Sequence, residues 1–63
     1  MTTFHVGPAS RGWGIRRAHA HRARRVYPTK REAVFLARIM MRKRGGELVV
    51  HKRNGLVQFR AFY

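Results

Sequence analysis

The sequence predicts an α+β domain of order β-β-β-α-β-β, an antiparallel sheet with one helix packed on one face, and three observations predict it. First, 44% hydrophobic residues, among them one Trp, two Tyr and four Phe, are too much apolar material for a disordered tail. Second, helical periodicity occurs in one stretch, bounded by recognisable start and stop signals. Third, the remaining apolar residues fall in short alternating runs separated by Gly, Pro and Asn. The 63 residues make one domain at most. Without cysteine there is neither a disulfide framework nor a thiolate metal site, so a compact core, a partner or both must supply stability.

In chain order, Thr3-Phe4-His5-Val6 alternates polar and apolar and reads as a first strand stopped at Gly7-Pro8. Trp13 and Ile15 share one face of a second strand whose other face carries Arg16. Arg17 to Arg22 have no apolar periodicity and read as the basic loop of a hairpin, returning as a third strand over Arg24 to Tyr27. Thr29 followed by Glu32 is a capping box, so a helix begins at Lys30. It runs to about Arg44, where three cations suit the negative end of the helix dipole and Gly45-Gly46 ends it. Glu47 to His51 is a fourth strand, and Asn54-Gly55 turns the chain into a fifth from Leu56 to Tyr63.

The faces sort by period. Ala33, Leu36, Ala37 and Met40, with Val34 and Met41 at the margins, form the helix stripe that lies on the sheet. Phe35 and Ile39 fall outside that stripe, one turn apart between Arg31, Arg38 and Arg42, and are expected to form an apolar ridge for a partner or a second copy of the chain. In the last strand Val57, Phe59 and Ala61 are expected towards the helix, leaving Gln58, Arg60 and Phe62 on the outer face with Val49, His51 and Arg16.

Charge is the strongest functional signal. Fifteen Lys plus Arg against two acids leave a net charge of +13, which selects polyanionic partners. Arg dominates the cations, and its planar fork bonds phosphate and guanine edges in pairs. The expected function is a small basic nucleic-acid-binding protein, DNA before RNA, acting mainly through phosphates. Its candidate binding residues are Arg16, Arg17, Arg22, Arg24 and Arg25 of the hairpin, Lys52 and Arg53 of the last turn, and Arg60. The alternatives are an effector that binds and inhibits an acidic host protein through Phe35 and Ile39, and an RNA- or ribosome-binding protein. A homodimer through the same ridge is also expected to help so small a domain.

From Gly12 to Tyr63 the chain resembles a small family of bacterial and phage proteins known as domain-of-unknown-function family 2188. The resemblance rests on Gly12-Trp13-Gly14-Ile15, Thr29-Lys30-Arg31-Glu32-Ala33, Gly46 to His51, and Asn54-Gly55 followed by Val57 and Tyr63. It implies no activity. Two departures are Phe35, Ile39 and Phe59 at positions usually polar in that family, and a higher basic charge. A looser likeness exists to the arm-type DNA-binding domain of phage tyrosine integrases, in which a Trp-bearing strand and a basic hairpin precede a helix start like Thr29 to Ala33. That likeness implies that Arg16, Arg22, Arg24 and Arg25 face a duplex.

Catalysis is not expected. Glu32 serves the helix cap, Glu47 stands alone, and neither a nucleophile with a base nor a phosphate-binding glycine loop is present. No cofactor is expected. His19 and His21 could pair on a metal with His5 or His51, but two histidines adding donors to a basic loop is the simpler reading. Arg38 interrupts the apolar stretch from Ala33 to Met41, so no membrane span or signal peptide is expected. The expected location is the cytoplasm, with the nucleoid of a bacterium or phage-infected cell.

Overall fold

Thr29 starts the helix as the capping box requires, its hydroxyl accepting the Glu32 backbone N–H at 3.2 Å. In the computed structural model, which describes residues 1–63, the elements are β1 (Thr3–Ala9), β2 (Gly12–Arg17), β3 (Arg25–Tyr27), α1 (Lys30–Arg44), β4 (Glu47–His51) and β5 (Val57–Phe62). The helix stops at Gly45, where φ is 77° and the N–H returns to Met41 O at 2.7 Å. At Gly46 only glycine fits: φ is 119°, and a Cβ would lie 2.3 Å from Thr2 O. The last turn is closed by Gly55 N–H to Lys52 O at 2.9 Å, with Asn54 Oδ1 accepting from Leu56 N–H.

The five strands form one sheet in the order β3-β2-β1-β4-β5. The expectation of an antiparallel sheet needs correction: β1 and β4 run parallel, Thr3 to Val6 opposite Glu47 to Val50, while the other three pairings are antiparallel. The cause is topological. A tight hairpin from β1 to β2 and a longer loop from β2 to β3 bring β3 back into the direction of β1, and one helix then carries the chain over β2 and β1, so β4 sets off in that same direction. β1 also runs past the expected stop at Gly7-Pro8. Pro8 is tolerated there because the register of β1 with β4 ends at Val6, and Pro8 opposes only Trp13 of β2.

On the covered side, Phe4, Val6, Trp13, Ile15, Leu48 and Val50 meet Ala33, Ala37 and Met41 of the helix. The buried line of α1 thus follows steps of four residues, and Met41 takes the central place expected for Met40; Leu36, Met40 and Val34 flank it half-buried. Alanines at 33 and 37 let the helix axis come close to the sheet, which shifts the line of contact towards them. Cations close the edges of this core: Arg44 lies 5.0 Å from the Phe4 ring, Arg38 5.5 Å from Phe59, and Lys30 and Arg53 lie 5.0 and 5.7 Å from Trp13.

β5 departs from simple alternation. Phe59 opposes Val50 and Val57 opposes His51, so Gln58 is an extra residue in a β-bulge. The bulge exchanges two expected positions. Val57 stands beside His51 towards the outer face, whereas Gln58 turns to the helix side, where its Oε1 accepts from Lys30 Nζ.

Candidate functional site

One side of the sheet is covered by α1 and the other is open. Strand registers place Arg16, His5, Val49 and Arg60 in one row across β2, β1, β4 and β5 of the open face. Three strand spacings separate Arg16 from Arg60, a span of about 14 Å. Glu47 is the sole acid of the face. It is 9% exposed, and its carboxylate accepts from Thr3 Oγ1 at 3.1 Å and from Arg60 Nη1 at 3.3 Å. The acid is therefore neutralised at the margin, and the rest of the face stays basic.

Beside that row lies a basin of about 440 Å³, floored by Gly7 and Gly14 and walled by His5, His51, Arg16 and His21. The floor is low because neither glycine carries a side chain. The loop after β2 folds in along one wall: Arg24 N–H reaches Ile15 O at 2.6 Å, and a Cβ at Gly14 would lie 2.8 Å from the Ala23 Cβ. His5 Nδ1 and His51 Nε2 are 2.8 Å apart, the two rings meeting edge to edge with their planes 27° apart, and His51 Nδ1 donates to Gly55 O at 2.9 Å. The pKa of His5 is held below its ordinary 6.5, by burial first, then by the charges of His51 and Arg16 and by the more distant Arg60, with Glu47 opposing. His5 is therefore neutral near pH 7.

The eight cations expected to bind nucleic acid divide into groups. Arg16 and Arg60 share the open face, and Arg22 and Arg24 belong to the loop beside it. Arg17 and Arg25 take the registers of Phe4 and Ile15, which belong to the helix side of the sheet, and both are exposed. Lys52 and Arg53 lie in the β4–β5 turn, and Arg53 reaches round to Trp13. No three His, Cys, Asp or Glu side chains come together as a metal-holding group; His21 lines the basin and His19 is exposed with φ at 70°.

The expected ridge of Phe35 and Ile39 does not form as such. Phe35 is 62% exposed, but it joins Val34 and Phe59 in a shallow groove of about 590 Å³ edged by Lys30, Arg31 and Arg38, while Ile39 is half-buried outside that groove. The reason is β5, which flanks the helix on the Phe35 side at its N-terminal half, so Phe59 rather than Ile39 becomes the neighbour. The pairing of His5 with His51, and the bare floor between them, were not among the expected site features. Both depend on the β1–β4 adjacency, which a 46-residue separation conceals.

A family model described as "Uncharacterized protein conserved in bacteria (DUF2188)" matches residues 4–63. The chain belongs to this family. The match covers the helix and all the strands except Thr3 at the start of β1, so the basin and the row of Arg16, His5, Val49 and Arg60 lie within the family domain. No curated protein and no solved structure matches the chain. No helix of this family member is long and apolar enough to cross a membrane.

Proposed function

We propose that this protein binds nucleic acid, duplex DNA first, through phosphate contacts from the open sheet face and the adjoining loop. The observation that carries the reading is the row of Arg16 and Arg60 on a face whose single acid is buried and already paired. A span of about 14 Å between the two arginines is comparable with the ≈ 12 Å major groove of B-DNA, whereas the deep, narrow major groove of A-form RNA excludes side chains. Arg22 and Arg24 extend the positive surface along one side. A protein acting in this way would sit with the nucleoid.

A salt titration tests the reading, using nuclease-treated protein against duplex DNA, single-stranded DNA and duplex RNA. If about six phosphates are engaged, the log-log slope on duplex DNA is near −5. Arg16→Ala and Arg24→Ala each lower that slope by about one. Weak binding, indifferent to salt and to all three polymers, overturns it. Arg60 is a poorer first variant, because its loss also leaves the Glu47 carboxylate without its cation.

The Phe35 groove favours a second reading, capture of an acidic host protein. An apolar floor edged by three cations suits a partner segment carrying an apolar anchor among acids. Self-association there is disfavoured, since a symmetric dimer would bring those cations together. Under this reading Phe35→Ala, at the exposed residue of the groove, abolishes partner capture and leaves nucleic-acid affinity unchanged; retained capture rejects it.

A further inference from the structure

We infer that the basin between His5, His51, Arg16 and His21 is a site for a phosphomonoester, the doubly charged phosphate that ends a nucleic-acid strand, and that it takes up one proton as it fills. The inference rests on the nucleic-acid reading and adds to it a defined ligand.

Hydrogen-bond direction fixes the tautomers of the two rings when each carries one proton. Gly55 O can only accept, so His51 Nδ1, 2.9 Å away, carries a proton. In the tautomers with one proton on each ring, His51 Nε2 is then bare and accepts from His5 Nδ1–H at 2.8 Å. His5 is left with a bare Nε2. One added proton at that atom places a positive charge on the basin wall and breaks neither hydrogen bond. A second proton would put hydrogens on both facing nitrogens and force the rings apart. The pair therefore has room for one proton and resists another.

Charges around the pair explain why that proton waits for an anion. His5 of β1 faces Arg16 on β2, His51 and Glu47 on β4 and Arg60 on β5, with His21 of the loop across the basin. Arg16, Arg60 and His51 oppose a further positive charge, burial opposes it more, and Glu47 alone favours it. An arriving dianion reverses the balance. A phosphomonoester carries between −1.5 and −2 charges at pH 7 and offers three acceptor oxygens, a better match to one guanidinium and a protonated imidazole than a singly charged diester. Shape points the same way. A duplex backbone is convex and passes over the rim of a concavity, whereas a strand end can enter it. A volume of about 440 Å³ lies within the range of ligand pockets and leaves room for the terminal sugar.

The experiment compares two DNA oligonucleotides of one sequence, one with a 5′-phosphate and one with a 5′-hydroxyl, by fluorescence anisotropy at pH 6.5 and pH 8.0. The phosphorylated strand is expected to bind wild-type protein about tenfold tighter at pH 6.5, the size of one charge-assisted hydrogen bond, and to lose most of that advantage at pH 8.0. His5→Gln and His51→Gln are expected to bring the ratio to about one while leaving the salt slope of the 5′-hydroxyl strand unchanged. Equal affinities for the two strands at both pH values overturn the site and leave the nucleic-acid reading standing. If neither oligonucleotide binds, either as a strand or annealed to its complement, that reading falls, and the basin is judged by adenosine monophosphate against adenosine: ring chemical-shift changes at His5 and His51 with the monophosphate alone support a phosphomonoester site, and their absence overturns it. Adenosine monophosphate displacing the strand far better than inorganic phosphate supports a strand end; equal displacement overturns that assignment in favour of free phosphate.

Discussion

His5 is where folding and charge meet most directly. Its ordinary pKa is 6.5 and burial, with the nearby positive groups, lowers it in the folded protein. Between 6.5 and that lower value the unfolded chain binds a proton that the folded chain refuses. The stability held by neutral His5 is thus complete above pH 6.5 and is lost as pH falls towards the folded value. In buffer free of phosphate, the urea midpoint of the wild type is expected to drop between pH 7.5 and pH 5.5, and His5→Gln is expected to drop less; equal drops would assign the effect to other groups. Gly14 offers a second test at this scale. Its added Cβ would stand 2.8 Å from the Ala23 Cβ, neither of which can swing away. Gly14→Ala is expected to cost about 1–3 kcal/mol through this overpacking, and Gly14→Ala with Ala23→Gly to recover most of it, as read from denaturant curves.

Among the elements, the helix gives the sharpest expectation because its register has moved. Met41 is fully buried in the line of Ala33 and Ala37, whereas Leu36 is only half-buried. Met41→Ala is therefore expected to cost about 2–5 kcal/mol and Leu36→Ala distinctly less, measured by chemical denaturation. The reverse order would restore the stripe centred on Leu36 and Met40. What was legible in the chain was local. The Thr29 cap, the Gly45 stop and the Asn54-Gly55 turn are set by neighbours a few residues apart, and the boundaries of α1 follow from them. Parallel pairing of β1 with β4 was not legible, because alternation assigns faces to a strand but not its neighbour or direction. The bulge at Gln58 was hidden for the same reason: an extra residue shows only against the partner strand. The site follows this division. Arg16 and Arg60 were found from parity within their own strands, while the His5–His51 pair needed the sheet order.

For the whole molecule, the question is how a domain carrying +13 stays folded on so few residues. Pairing with acids is no answer, since a single salt bridge, Arg60 to Glu47, is formed. Four cations instead lie over aromatic rings at the rim of the core, where they shield apolar surface while keeping contact with water. The remaining charge repels itself across a body whose radius of gyration is 10.3 Å. That length is close to the Debye length at 0.1 M salt, about 10 Å, so ordinary ionic strength screens the molecule only across its full width. Added salt should consequently stabilise the free protein, and polyanions should do so at far lower ionic strength because they bind the folded basic face. The melting temperature is expected to rise by several degrees between 20 and 500 mM sodium chloride, and by a comparable amount with stoichiometric duplex DNA at the low-salt end. DNA should then give no further rise at 500 mM, where counterion release no longer favours its binding. A melting temperature indifferent to salt would mean that the cations are already neutralised within the fold, and the argument from the open face to a polyanionic partner would lose its physical basis.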